Sequence, residues 1–230
     1  MKIAILQSNY LPWKGVFDII NSVDEFVFYE DVQYTKNDWR NRNKIKTANG
    51  TAWLSVPIVH SGKSDQKIYE AKILSSSKWQ RKHYNALIIN YAKAPFFKQY
   101  KWLLDELYLE NEWTNLSELN IFSTKLISEI LGIKTKFHNS LDLKATGSKT
   151  TVLINICKEL KADCYLSGPA AKDYIDDQDF INAGIDLQYM KYEYPEYPQL
   201  YGNFEHGVSV LDLLFNVGEE ASHYIWLEEK

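Results

Sequence analysis

The chain has 230 residues, 45% of them hydrophobic and 24% charged, and a formal net charge of −4. That length and apolar content suffice for a substantial core without disulfides or metals, and the acidic balance argues against a general nucleic-acid binder, so no DNA partner is expected. No apolar run approaches the ~20 residues of a membrane span, and the opening Lys2-Ile3-Ala4-Ile5-Leu6-Gln7 is too short for a signal-peptide core, so a cytoplasmic location is expected.

Residues 2–7 read as a buried strand, residues 8–12 as a turn, and Trp13, Phe17, Ile20 and Val23 recur at helical spacing. A second strand, Glu25 to Glu30, follows, which makes a right-handed βαβ crossover. The loop after the first strand and Asp31 after the second then fall on the carboxyl edge of a parallel sheet, where ligands of open α/β sheets bind. Residues Trp53–Ile58 and Ile68–Leu74 read as further strands, joined by a polar hairpin loop containing Gly62. Helical spacing then dominates, through Trp79, His83, Leu87 and Asn90, then Phe96, Tyr100, Leu103 and Leu107, then Leu116, Leu119, Leu126 and Ile130.

The last third alternates again. It has a helix around Val152–Leu160, a strand Cys164–Leu166, a short helix near Phe180, a strand Leu187–Tyr192 and a helix Val210–Asn216. The expected fold class is therefore α/β, a mainly parallel sheet with a βαβ start and an inserted helical segment at about 77–131. Without repeats or linkers, residues 1–230 are expected to form a single domain. Cys157 and Cys164 read as buried small hydrophobes; with the five histidines scattered, no metal site is expected.

The most informative stretch runs from Glu30 to Lys46. If extended, it places Arg40, Arg42, Lys44 and Lys46 on one face, and their mutual repulsion would be relieved by a diphosphate, which Arg grips bidentately. The bland reading is a solvated edge strand whose lysines discourage aggregation. Trp39, Asn41 and Asn43 interleave with the cations, and aromatic faces and amides are what a sugar or base recognises. Of the acids Glu30 and Asp31, Asp31 is expected at the ligand edge, as a base or beside Mg²⁺, with Glu30 its solvated neighbour.

The loop from Gln7 to Gly15 offers Tyr10 and Trp13 for stacking and Lys14 for a phosphate. His83 lies on an apolar-leaning stripe, where a satisfied core histidine competes with a general base. Ser167 and Gly168 follow a strand without a nucleophile elbow, so they suit donation to a ligand oxygen rather than covalent catalysis. Lys172 could join them. The run Tyr192–Gln199 either rims a carbohydrate pocket or pins a loop to the core, and Asp212 with Asn216 suits a buried hydrogen-bond role.

Several strings together resemble the WbqC-like family: Tyr10-Leu11-Pro12-Trp13-Lys14-Gly15, Glu30-Asp31-Val32-Gln33-Tyr34, Trp39-Arg40-Asn41-Arg42-Asn43-Lys44-Ile45-Lys46-Thr47, Tyr165-Leu166-Ser167-Gly168-Pro169 and Ser209–Asn216. Two positions depart from that family's usual pattern, Ser8 where a Pro is common and Glu30 where an Asp is. The second takes weight from Glu30, not from Asp31. The resemblance implies a role in bacterial surface-polysaccharide (O-antigen or capsule) biosynthesis, with an acyl or aminoacyl group attached to the amine of a nucleotide-linked amino sugar.

On that implication Asp31 or His83 would be the base. Gln7, Tyr10, Trp13, Gln33, Lys36, Trp39, Arg40, Arg42, Asn43 and Lys46 would bind the substrate, with Ser167, Gly168 and Lys172. The co-substrate would be an acyl or aminoacyl donor. Two alternatives stand beside it. One is carboxylate activation with ATP and Mg²⁺, although the His-x-Gly-His signature of such nucleotidyl transferases is absent. The other is a non-catalytic binding protein of the same pathway.

Overall fold

Ile3, Ala4 and Ile5 are all buried, and a strand apolar on both faces must lie inside a sheet covered on both sides. The computed structural model, which describes residues 1–59, 65–173 and 175–226, places this strand at the centre. The opening βαβ unit is β1 (Lys2–Leu6), α1 (Lys14–Asn21) and β2 (Glu25–Phe28). A hairpin of β3 (Arg42–Thr47) and β4 (Gly50–Ser55) comes next, followed by α2 (Trp79–Tyr91), α3 (Phe97–Asp105) and α4 (Leu116–Ile130). The chain then returns to the sheet through β5 (Lys136–Asn139), α5 (Thr150–Glu159), β6 (Cys164–Ser167), α6 (Asp177–Ala183) and β7 (Asp186–Tyr189), and closes with α7 (Val210–Val217).

Among the described residues the main sheet has five strands in the order β5-β2-β1-β6-β7, every pair parallel. The chain winds outward from β1 through β2 to β5, then restarts beside β1 at β6 and winds the other way. The reversal between β1 and β6 is a topological switch point, where the loops leaving two neighbouring strands part and open a crevice. Side-chain alternation assigns the faces. Ala4, Phe26 and Phe28 pack with Phe17, Ile19 and Ile20 of α1, whereas Ile3, Ile5 and Val27 pack with Val152, Ile156 and Phe180 of α5 and α6. Cys157 and Cys164 are buried and free.

The expected α/β class, parallel sheet and helical insertion are all present. The placement of the hairpin is not as expected. It joins β3 to β4, with Lys44 opposite Trp53 and Thr47 opposite Gly50, because Asn49-Gly50 is a short-turn signal and Gly50 adopts φ 103°, which only glycine takes without strain. Residues 68–74 form no strand. A 3₁₀ turn covers Ile68–Glu70, and the backbone beyond it bonds alternately to two partners, with Leu74 N donating to the Pro57 carbonyl and Ile73 N to that of Thr114. Gly62, expected in a loop there, lies outside the described residues.

Residues 191–207 cross the molecule without helix or strand, and a loop this long needs an anchor. Asp212, fully buried on α7, supplies it. Its carboxylate accepts from Tyr91 Oη, Tyr197 Oη and Gln199 Nε2, each at 2.8 Å. Gln199 Oε1 in turn accepts from Lys46 Nζ at 2.9 Å, and Lys46 also donates to the Asn203 carbonyl. Asp212→Ala would leave two buried hydroxyls without their acceptor, and should cost about 3 kcal/mol or more in urea unfolding; Asp212→Asn, which keeps one oxygen, should cost roughly half as much.

Candidate functional site

The loop leaving β1 is buried, and its backbone groups are met by distant residues. Ser8 N donates to Glu30 Oε1, Tyr10 N to the Trp39 carbonyl, and Val210 N to the Pro12 carbonyl. Asn43 Nδ2 donates to the carbonyls of Tyr10 (3.3 Å) and Leu11 (2.7 Å). Leu11 sits at φ 42°, a conformation that a branched side chain keeps only when its surroundings impose it. Beyond the turn, the Trp13 indole folds back over Gly15, where a Cβ would lie 2.3 Å from a ring carbon. The indole packs edge-on against Tyr192 at 5.0 Å and Tyr194 at 5.8 Å.

Two cavities open beside this loop. The first, about 380 Å³, is lined by Asn9, Pro12, Trp13, Val16, Trp39 and Asn43. The second, about 260 Å³, is lined by Asp38, Trp39, Arg42, Lys44 and Trp53. Trp39, 45% exposed, is common to both, and its ring centre stands 5.4 Å from that of Trp53. Arg42 places its guanidinium carbon 4.2 Å from the Trp53 ring centre and Lys44 its ammonium 5.4 Å away, so cation–π attraction holds both charges on one indole. Asn9 Oδ1 and Arg42 Nε, on the two cavities, have no protein hydrogen-bond partner, and neither do Gln7 Oε1 and Arg40 Nε nearby. With Asn41 Oδ1 and Asn120 Oδ1, these atoms stand unpaired in a setting where buried polar groups are normally satisfied.

Trp13, Trp39, Arg42 and Asn43 therefore come together as cavity walls. The row of four cations does not. Arg40 precedes the strand and pairs with Asp38 at 2.7 Å, while Lys46 is consumed by the Gln199 and Asn203 contacts. Gln33 forms an isolated bridge with Lys67, and Lys36 is exposed outside both cavities. Ser167 and Gly168 lie across the switch point. The Ser167 hydroxyl is 3.4 Å from Tyr165 Oη, and the Cα of Gly168 faces the Tyr192 hydroxyl, which a Cβ would meet at 3.6 Å. Lys172 sits further out, its ammonium 5.0 Å from the Tyr189 ring centre. The Tyr192–Tyr197 run pins its loop against Trp13 and Asp212.

The acid pair is arranged opposite to expectation. Glu30 is fully buried, while Asp31 is exposed and paired with Lys67. The reason is geometric. After Phe28 the backbone turns Glu30 under the β1 loop, where Ser8 supplies both an N–H and a hydroxyl at 3.0 Å. Burial raises the Glu30 pKa, and hydrogen bonds from Ser117 and Ser8 and the charge of Arg40 pull it back. In the second cavity, Asp38 is held below the ordinary carboxylate range. Burial alone would raise it, but bonds from Thr35, Arg40 and the Trp39 N–H prevail.

Lys14 is buried under Tyr194, Tyr197 and Phe204 rather than offered to a phosphate. Burial lowers its pKa to about 8. Tyr10 likewise turns away from the cavities. Its hydroxyl meets His83 Nδ1 at 2.8 Å and Tyr108 Oη, which a π-turn at Glu106–Glu110 presents. His83 bonds to the Ser55 backbone as well, and burial pushes its pKa down to about 4. Neither Asp31 nor His83 reaches the cavities.

Trp53, Asp38 and the Glu30 bridge were not nominated from the sequence. Pairing β3 with β4 through Asn49-Gly50 would have placed Trp53 opposite Lys44. Among the described residues no group of three or more His, Cys, Asp or Glu could hold a metal, and no helix is long and apolar enough to cross a membrane.

A doubly wound parallel sheet with aromatic and cationic cavities beside it defines an α/β protein whose β1 loop and β3–β4 hairpin, rather than the strands of the main sheet, line the candidate site. A model of the WbqC-like protein family matches residues 7–224, and the chain belongs to that family. It is similar to the uncharacterized protein Rv1507c of Mycobacterium tuberculosis, with 46% identity over 225 residues, 97% of each chain. No solved structure matches it.

The histidine provides a test of this assignment of roles. Because its folded pKa of about 4 lies below the unfolded value near 6.5, the neutral ring contributes stability above pH 6.5 that is lost as pH falls toward 4, about 2 kcal/mol of it by pH 5. In urea titrations at pH 7.5 and pH 5, His83→Gln should show an acid loss smaller than the parent's by about that amount.

Proposed function

We propose that the two cavities sharing Trp39 bind a nucleotide-linked amino sugar, and that the protein attaches an acyl or aminoacyl group to its amine in surface-polysaccharide biosynthesis. The observation that carries this reading is the division of chemistry across one indole. Arg42 and Lys44, stacked on Trp53, provide the only uncompensated pair of cations among the lining residues of the second cavity, and suit a diphosphate. The more apolar first cavity, walled by Trp13 and Trp39, suits a deoxy sugar ring, with the amide-bearing Asn9 on its wall. In the reaction the sugar nitrogen attacks the donor's carbonyl carbon, an amide bond forms, the donor's leaving group departs, and the ammonium proton passes to solvent or a base.

One observation favours a second reading, that of a binding protein without turnover: the nominated bases, Asp31 and His83, both lie away from the cavities.

Calorimetric titration with amino-sugar nucleotides and with the parent nucleoside diphosphates tests the site. Arg42→Ala should weaken both ligands by roughly ten- to a hundredfold, the value of a charged hydrogen bond, whereas Trp39→Ala should weaken the sugar nucleotide more than the bare diphosphate. Mass spectrometry after incubation with acyl and aminoacyl donors separates the readings. A product heavier by the acyl group supports the transferase, and tight binding without product supports the binding protein. No binding of any nucleotide would overturn both.

A further inference from the structure

A third concavity, about 640 Å³, lies between α4 and the end of β5. It shares no lining residue with the Trp39 cavities. Its aromatic wall is Tyr69, Trp113 and Phe122, and the ring centres of Trp113 and Phe122 are 5.0 Å apart and tilted by 49°. The indole is fixed, because Trp113 Nε1 donates to the Leu107 carbonyl at 2.8 Å. Asn115 ties two walls together, donating to the Tyr69 carbonyl at 2.7 Å and accepting from Glu118 N at 3.2 Å as the cap of α4.

The walls are also bonded to one another from beneath. Glu30 N donates to Ser140 Oγ just past β5 at 3.0 Å, and the Glu30 carboxylate bonds Ser117 in the first turn of α4. The groove is therefore preformed, with partly exposed ring surfaces inside and hydrogen-bonding groups at its rim.

Its charges identify the class of ligand. The rim offers one carboxylate, Glu118, and one ammonium, Lys125, both exposed. With no surplus of either sign, the groove lacks what a polyphosphate or an acidic chain requires. Aromatic faces that pack against C–H surfaces, ringed by a carboxylate, an amide and an ammonium that bond hydroxyls, fit an uncharged polyol ring. We propose that this groove is a second binding site, for a neutral saccharide, whether or not the nucleotide-sugar reading of the first site holds.

The test is a printed array of neutral and anionic glycans probed with the full chain, followed by saturation-transfer NMR on any neutral glycan retained. Expected are transfer to the sugar ring protons and at least tenfold weaker binding in Trp113→Ala, with Arg42→Ala unchanged. Since Trp113 contributes to packing, Glu118→Ala and Lys125→Ala, both on the surface, provide variants whose folding is not at stake, and each should weaken the glycan measurably. An array on which no glycan is retained, a preference for anionic glycans, or binding that survives all three groove substitutions but is lost in Trp39→Ala would each overturn the proposal.

Discussion

A buried loop has to satisfy its own backbone, and the segment from Gln7 to Trp13 meets that requirement with partners borrowed from the end of β2, the approach to β3, β3 itself and the start of α7. Everything near the cavities follows from this constraint. Asn43 holds a left-handed Leu11 in place, and Trp39 can stand exposed between the cavities because its carbonyl is fixed by Tyr10 N. Removing these partners would leave donors and acceptors stranded in a dry interior, where each costs about 1–3 kcal/mol. The hairpin is thus part of the same rigid unit as the sheet, although it shares no ladder with it.

Ionisable side chains are sorted by what their burial can be matched with. Glu30 goes under the loop because Ser8, Ser117 and Arg40 surround it, and Asp31, one residue on, is left with an exposed lysine. Lys46 is drawn inside by Gln199 and a carbonyl, with Asp212 close by, whereas Arg42 and Lys44, four and two residues earlier, remain on the surface over Trp53. A two-residue period specifies the face a side chain leaves from, but not how far along that face another part of the chain arrives to cover it.

This marks the boundary of what was legible in the sequence. The βαβ start, the inserted helices and the final αβ alternation follow from local periodicity, and they are present. The switch point between β1 and β6 follows less directly, since strand order is set by long-range packing. The loop after β1 and the Arg-Asn strand, singled out by composition, do line the two cavities. The buried placements of Tyr10, Lys14 and His83 were not recognisable in this way, because each depends on a partner more than fifty residues away: Tyr10 and His83 on each other, and Lys14 on Tyr194 and Tyr197. Resemblance to a family names segments of the chain without specifying which of their side chains face inward.

Trp39 is a wall with a cavity on either side. Its indole lines both, so any change in its rotamer alters the two volumes together. The residue just ahead of the hairpin therefore couples the shape of the aromatic cavity to that of the cationic one.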